Sequence, residues 1–381
     1  MNKEILINIV GDFCVSKLDN LSFGNKLKTK LSESDINIVN LEAPIREEGS
    51  VAIEKSGPNL FQDNNAIKFL EENGFNVFSL ANNHIMDYGI SSLLKTTSLI
   101  KNATYVGAGN LEDAYNVKKI SINNIVIGII AITQYEFGII DDEDSNSMGT
   151  AWLCHPSIDK RIVEAKKDCD FLIIMPHAGL ENFEYPLPEI KTLYRHFIEM
   201  GADAVIGGHP HIPQCWEFFK EKPIVYSLGN FCFDSLRPKK AMWNKGLFAS
   251  LTIREKCISL EIAKLEYFTG QRIVDLTDNE SFDLFLAQIN SNFKDENTYL
   301  SIVNKKCLAL ENTYNQYFEM SGYYKPSLKK YTRLTLGLLK RKLLGKKDIS
   351  YNPNHMINCL RCETHRWVLS RIYNIHKSNE L

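Results

Sequence analysis

The chain has no stretch approaching the roughly 18 uninterrupted apolar residues of a membrane span, and its 381 residues carry a net charge of only −2. The first absence argues against an integral membrane protein. The second gives no electrostatic reason to expect nucleic acid as a partner. There is no paired cysteine framework either. The nine cysteines are an odd number, scattered and mostly inside apolar segments (Cys14, Cys154, Cys169, Cys215, Cys232, Cys257, Cys307), which reads as reduced core thiols. The opening Met1-Asn2-Lys3-Glu4 runs straight into a strand-like segment, without a basic n-region, a long apolar h-region or a small-residue cleavage site. No secretory signal is read there, so a cytoplasmic protein is expected. No Gly/Pro/Ser-rich linker divides the chain, so its last hundred residues are expected to pack on the main domain rather than form a separate module.

What is present is ordinary globular material, 44% hydrophobic and 24% charged. Up to about Thr269, strand-like runs alternate with helical patterns over Asn65–Asn73, Ile90–Lys101, Ile158–Lys167 and Glu189–Met200. That alternation favours an α/β layered domain. Two stretches read instead as antiparallel hairpins. Val117–Ile122 and Ile125–Ile132 flank Asn123-Asn124, a hairpin-type turn pair, and Leu247–Arg254 and Ser259–Tyr267 flank Glu255–Ile258. Between them, the acidic and small Asp141–Gly149 reads as a loop.

Beyond about Asp275 helical periodicity takes over, aromatics are frequent and glycine is rare. The division expected is a domain over 1–270 and a mainly helical extension over 271–381. Residues 325–347 hold nine Lys or Arg and no acid, interleaved with leucines. Such a segment can lie peripherally on an anionic membrane surface, or it can pack its leucines on the domain and leave a solvated basic face. His355, Cys359, Cys362 and His365 invite a zinc reading, but one helix cannot readily surround a tetrahedral ion, so packing is favoured.

Five polar runs sit at the ends of apolar strand-like segments: Gly11-Asp12, Asn40-Leu41-Glu42, Asn82-Asn83-His84, His177-Ala178-Gly179 and Gly208-His209-Pro210-His211. In an open α/β sheet the carboxyl ends of the strands line one crevice where ligands bind. Carboxylates, amides and imidazoles converging there make a site suited to two cations, hence a metal-assisted hydrolytic or phosphoryl-type centre. In extended backbone, residues i and i+2 point the same way, so His209 and His211 are expected to face one metal pair from a strand-like segment. Asn230 could reach substrate or hold the 207–214 loop. Glu181 could orient His177 or be a plain helix-start acid. Lys55, in Lys55-Ser56-Gly57-Pro58, could present a cation to an anionic substrate.

The segments GDFCVS (11–16), VNLEAPI (39–45), SLANNHIMDYG (79–89), PHAGLENFEYP (176–186), GGHPHIPQ (207–214) and VYSLGNFCFD (225–234) resemble, in order and spacing, the CapA family. That family is named for poly-γ-glutamate capsule synthesis proteins, and its fold is similar to that of calcineurin-like metallophosphoesterases. The resemblance covers roughly residues 4–270. It implies a four-layer α/β/β/α sandwich, followed here by the helical extension; strands after Gly107 would largely form the second sheet. It also implies roles. Asp12 would be the first metal carboxylate and Glu42 the bridging one. Asn83, His177 and His209 would serve the second metal, and His211 would return to the first. His84 would protonate a leaving oxygen, with Asn83 and Asn230 at the catalytic end of the site. One or two Zn, Mn or Fe ions would be held. Cys14 stands where metallophosphoesterases carry a histidine, as a zinc thiolate or a core cysteine, so the first site is poorer in ligands.

Two functions follow. One is a metal-dependent hydrolase or transferase of capsule or surface-polymer biosynthesis, poly-γ-glutamate or polysaccharide, acting on an anionic polymer or its phosphorylated precursor. The other is a non-catalytic polymer-binding or assembly factor with an inherited metal crevice.

Overall fold

A computed structural model describes residues 4–141, 147–234, 242–255, 257–320 and 353–379. The basic 325–347 segment and residues 142–146 of the acidic loop lie outside these. The chain divides into two compact units, Met1–Ile53 with Asn59–Leu300, and Glu54–Pro58 with Ser301–Leu381.

The first unit is a four-layer α/β/β/α sandwich of two mixed sheets. In the first sheet β1 (Ile5–Cys14), β3 (Ile36–Leu41), β4 (Val77–Ser79) and β5 (Thr104–Val106) run parallel, and β15 (Asn230–Phe233) joins β1 in the same sense. The antiparallel β16 (Lys245–Arg254), β17 (Cys257–Phe268) and β18 (Ile273–Leu276), then β2 (Ser22–Phe23), extend it on the other side. The second sheet has the order β13 (Trp216–Phe219), β14 (Lys222–Val225), β12 (Ala204–Ile206), β11 (Phe171–His177), β8 (Ile125–Thr133) and β7 (Lys118–Ile122). A small third sheet joins β6 (Ala108–Asn110), β10 (Met148–Ala151) and β9 (Ile139–Ile140).

The layers follow from side-chain alternation. Val10 of β1 and Val39 and Leu41 of β3 pack with Leu27 and Leu31 of α1 (Asn25–Ser32), Ile67 and Leu70 of α2 (Ala66–Glu72) and Leu93 of α3 (Gly89–Leu99). The opposite face of the same strands, Ile7, Ile9 and Ile38, is just as fully buried. The two sheets touch through β5 with β8 and β14 with β17. On the second sheet, α5 (Ile158–Asp168) and α6 (Pro188–Met200) bury Ile162, Ala165, Tyr194 and Phe197. α4 (Leu111–Ala114) is a single turn leading into β7.

The Asn123-Asn124 hairpin forms as expected, both residues taking the positive φ that a two-residue type I′ turn needs. Three expectations are corrected. Strands after Gly107 do not largely belong to the second sheet: β15 to β18 return to the first, because β16 pairs along β1 from Ile5 to Val10. The second hairpin turns more tightly than Glu255–Ile258, since Cys257 and Ile258 are already in β17. Met148 and Gly149 are strand residues, not loop.

β18 and α7 (Glu280–Lys294), which lie beyond residue 270, belong to the first unit, where Phe293 packs on Tyr226. The second unit comprises most of α8 (Glu296–Met320), α9 (Asn354–Arg361) and α10 (Glu363–Asn379). Within it Tyr317 stacks on His355, whose Nδ1 is 2.6 Å from Ser56 Oγ, while the Tyr314 hydroxyl meets His365 Nδ1 at 2.8 Å. These histidines and the buried Cys359 and Cys362 enter no metal-sized donor group among the described residues. Lys55 is buried in this unit. Among the described residues no helix is long and apolar enough to cross a membrane.

Candidate metal centre

The carboxyl ends of the parallel strands of both sheets converge on one crevice. Asp12 lies within β1 rather than beyond it, and Glu42 follows β3 by one residue. Asn82, Asn83 and His84 follow β4, His177 ends β11, and His209 and His211 follow β12. All are buried. The histidine pair does reach one place, with ring centroids 6.0 Å apart, but not through extended backbone. His209 has φ 95° and His211 φ 61°. Two left-handed residues on either side of Pro210 turn both rings inward, where a strand would have used alternation.

Two groups of donor atoms result, each compact enough for one ion: Glu42, His177 and His209, and Asp12, Glu42 and His211. Glu42 is common to both. Its Oε1 is 3.5 Å from His177 Nε2 and 3.7 Å from His211 Nε2. Asn83 adds an amide oxygen 3.1 Å from His177 Nε2, and His209 Nδ1 is 3.2 Å from the same nitrogen. Neither oxygen of Glu42 nor Oδ2 of Asp12 has a hydrogen-bond partner, although all three are buried. Orphaned buried carboxylate oxygens are costly. A cation among them removes that cost, and mixed O/N donors suit divalent ions.

The electrostatics agree. Burial works against a charged Asp12, but the neighbouring His211, 3.4 Å from Oδ2, and the charge of His177 outweigh it, holding the carboxyl far below its usual range. Glu42 is pushed well up by burial and by the charge of Asp12. Burial would lower His211, yet Glu42 and Asp12 raise it to about 10. Burial lowers His177 to about 4, and burial helped by the charge of His177 lowers His209 well below its ordinary range.

Around this centre sits an amide scaffold that the motifs only partly foretell. Asn40 Nδ2 donates to Asp12 Oδ1 at 2.7 Å and lies 3.3 Å from His177 Nδ1, while Asn40 Oδ1 accepts from Asn82 Nδ2 at 3.0 Å. Asn230 accepts at Oδ1 from His211 Nδ1 at 3.0 Å and donates to the Trp243 carbonyl at 2.9 Å, which places it on the ring of His211. His84 joins neither donor group; its Nδ1 donates to Asp87 Oδ2 at 2.6 Å, an oxygen that also accepts from the Leu60 N–H. Cys14 packs with Ala43, Phe233 and Trp243, outside both donor groups, and burial pushes its thiol up. Exposed Glu181 is held below the usual carboxylate range: desolvation opposes this, and the charges of His211 and His209 prevail. Gln134 and Glu136, beyond the end of β8, reach Asn83 and His209. No motif marks them; their one signal is that they follow the apolar run of β8, as the five polar runs follow theirs.

A sequence profile of the family described as bacterial capsule synthesis protein PGA_cap matches residues 17–235, more than half of the chain. The matched stretch includes Glu42, Asn83, His84, His177, His209, His211 and Asn230, and begins just after Asp12. The capsule biosynthesis protein CapA of Bacillus anthracis is 33% identical over 54% of this chain and 52% of its own. The PGA biosynthesis protein CapA of Bacillus subtilis is 32% identical over 53% and 54%. The chain thus spans about half the length of the curated relatives it matches. Among solved structures it is similar to the NAD nucleotidase of Haemophilus influenzae (11% identity, 75% of this chain and 60% of that one, TM-score 0.41) and to the sulfate thiohydrolase SoxB of Thermus thermophilus (10%, 74% and 59%, TM-score 0.43).

Proposed function

The chain belongs to the bacterial capsule synthesis protein family, and from that premise we propose that it is a divalent-metal-dependent hydrolase or transferase acting on an anionic surface polymer, such as poly-γ-glutamate, or on its phosphorylated precursor. The observation that carries this reading is Glu42: one buried carboxylate, with no hydrogen-bond partner on either oxygen, common to two donor groups. Asp12, Glu42 and His211 would hold one ion, and Glu42, Asn83, His177 and His209 the other. Bound there, Zn²⁺, Mn²⁺ or Fe²⁺ would supply a water of lowered pKa and polarise the attacked group.

The remaining work falls to side chains. Asn40 holds Asp12 and the Nδ1 side of His177, so the Nε2 side of that ring faces Asn83 and Glu42. Asn230 does the same for His211, turning Nε2 toward Glu42. Asp87 fixes His84 through Nδ1, which assigns proton delivery to Nε2 and makes His84 the general acid for a leaving oxygen. A non-catalytic polymer-binding reading draws support from Cys14, which leaves the Asp12 group with three protein ligands.

One experiment separates the two. Metal-loaded protein is assayed on a panel of phosphoester and γ-glutamyl substrates. An enzyme shows turnover that drops by about 10²–10⁴ in His84→Ala while metal content stays constant. Absence of turnover on the whole panel, with polymer still bound, supports the binding reading instead.

A further inference from the structure

Glu136 hydrogen-bonds one of the proposed ligands, Asn83, from outside the donor groups. Its Oε2 accepts from Asn83 Nδ2 at 3.2 Å. That contact decides which way the Asn83 amide faces. With the nitrogen turned to Glu136, Oδ1 is presented to the donor group, 3.1 Å from His177 Nε2. An amide flipped the other way would offer the site an N–H, which cannot ligate a cation.

The other oxygen is tied to Gln134. Glu136 Oε1 is 3.8 Å from His209 Nε2, the nitrogen opposite the one facing His177. Gln134 stands beside it, its Nε2 2.9 Å from His209 Nε2 and 2.7 Å from Glu136 Oε1. The Gln134 amide cannot turn without cost, because its Oε1 accepts from the Gly179 N–H at 3.0 Å. It therefore presents a donor to His209. Glu136 Oε1 is thus occupied by Gln134, and at 3.8 Å it makes no hydrogen bond with His209.

We propose that Glu136 is the positioning residue of the second metal site, one carboxylate that orients Asn83 through Oε2 while Gln134 anchors it at Oε1. This rests on the metal-dependent reading above and extends it to a residue outside both donor groups. The side chain is only 13% exposed, so both contacts are screened from solvent and the geometry is held rather than sampled.

The test is metal affinity, not turnover. The full chain is stripped with chelator and titrated with Zn²⁺ by calorimetry, as wild type, Glu136→Ala and Glu136→Gln. Loss of an outer-shell carboxylate typically weakens metal binding by about 10–100-fold, and that loss is expected in Glu136→Ala for the site built on His177 and His209, with the other site unchanged. Glu136→Gln keeps the size but has a single acceptor oxygen, so it serves Asn83 or Gln134 and not both; an intermediate, several-fold loss is expected. Melting curves of the metal-free variants report folding separately. A residue that merely supported the loop would lower the melting temperature of the metal-free protein and leave affinity intact. Zn²⁺ affinity within twofold of wild type in Glu136→Gln, or in a folded Glu136→Ala, overturns the proposal alone. Wild type that takes up no Zn²⁺ overturns it together with the metal-dependent reading.

Discussion

His209 presents Nδ1 to His177 Nε2 at 3.2 Å, nitrogen to nitrogen. Two protonated imidazoles would repel at that distance. Burial resolves the conflict by holding both rings below histidine's ordinary range, His177 at about 4. At neutral pH both rings are uncharged, the form in which an imidazole ligates a metal.

A pH dependence of stability follows for the metal-free protein. Below pH 6.5 the unfolded chain protonates His177 and His209, whereas the folded chain waits until about pH 4 for His177 and resists protonation of His209 likewise. The unfolded state then binds more protons, so stability falls on acidification through that window, by about 1.4 kcal/mol per pH unit for each proton. Above pH 6.5 the sign reverses. His211 holds its proton in the folded state to about pH 10 but loses it above pH 6.5 in the unfolded one. Denaturation midpoints should therefore peak near pH 6.5 and fall on both sides. Midpoints constant from pH 5 to 9 would contradict this assignment.

Asp87 is expected to act through His84. Asp87→Asn leaves both donor groups untouched, so metal content should match wild type. The amide oxygen can still accept from both His84 Nδ1 and the Leu60 N–H, but without the carboxylate's charge it holds the ring less firmly and does not favour its protonated form. Turnover should fall by about 10²-fold, the lower end for a mispositioned general acid, with the larger fall on poorer leaving groups. Equal losses across leaving groups would argue that Asp87 serves only the local turn.

Two glycines near the site differ in kind. A Cβ on Gly11 would lie 1.8 Å from the Gly229 carbonyl oxygen, backbone that cannot yield without separating β1 from β15. Gly11→Ala should cost about 3 kcal/mol, the upper range for overpacking, visible as a lower urea midpoint. A Cβ on Gly208 would instead sit 3.2 Å from Asp12 Oδ1. Gly208→Ala should keep most of the stability and weaken metal binding. Equal stability losses in the two variants would contradict the distinction.

How much of this was legible in the sequence depends on whether the information was local. The polar runs at Asp12, Glu42, Asn83, His177 and His209 stand out because each interrupts an apolar strand, and strand ends in parallel sheets share one edge. The left-handed φ of His209 and His211 did not show, since two histidines around a proline fit an extended segment as well. Gln134 and Glu136 did not show because their partners are 75 and 53 residues away. The return of β16 to β1 was hidden for the same reason: pairing Ile5 with Ile253 is a long-range choice that neither strand's alternation encodes.

The basic segment 325–347, which lies outside the described residues, supports a prediction from composition alone. Each Lys or Arg near an anionic leaflet adds about 1 kcal/mol. The protein should co-float with phosphatidylserine-containing vesicles at low salt, and a Lys340→Glu/Arg341→Glu/Lys342→Glu variant should not. Equal flotation of the two would remove the idea of peripheral membrane contact.

The most direct test of the central claim is metal content. Wild type and a His177→Ala/His209→Ala double variant are purified side by side, and bound transition metals are counted by elemental analysis. At least one divalent ion per wild-type chain is expected, with a loss of about one in the double variant. Equal metal content in the two proteins would contradict it.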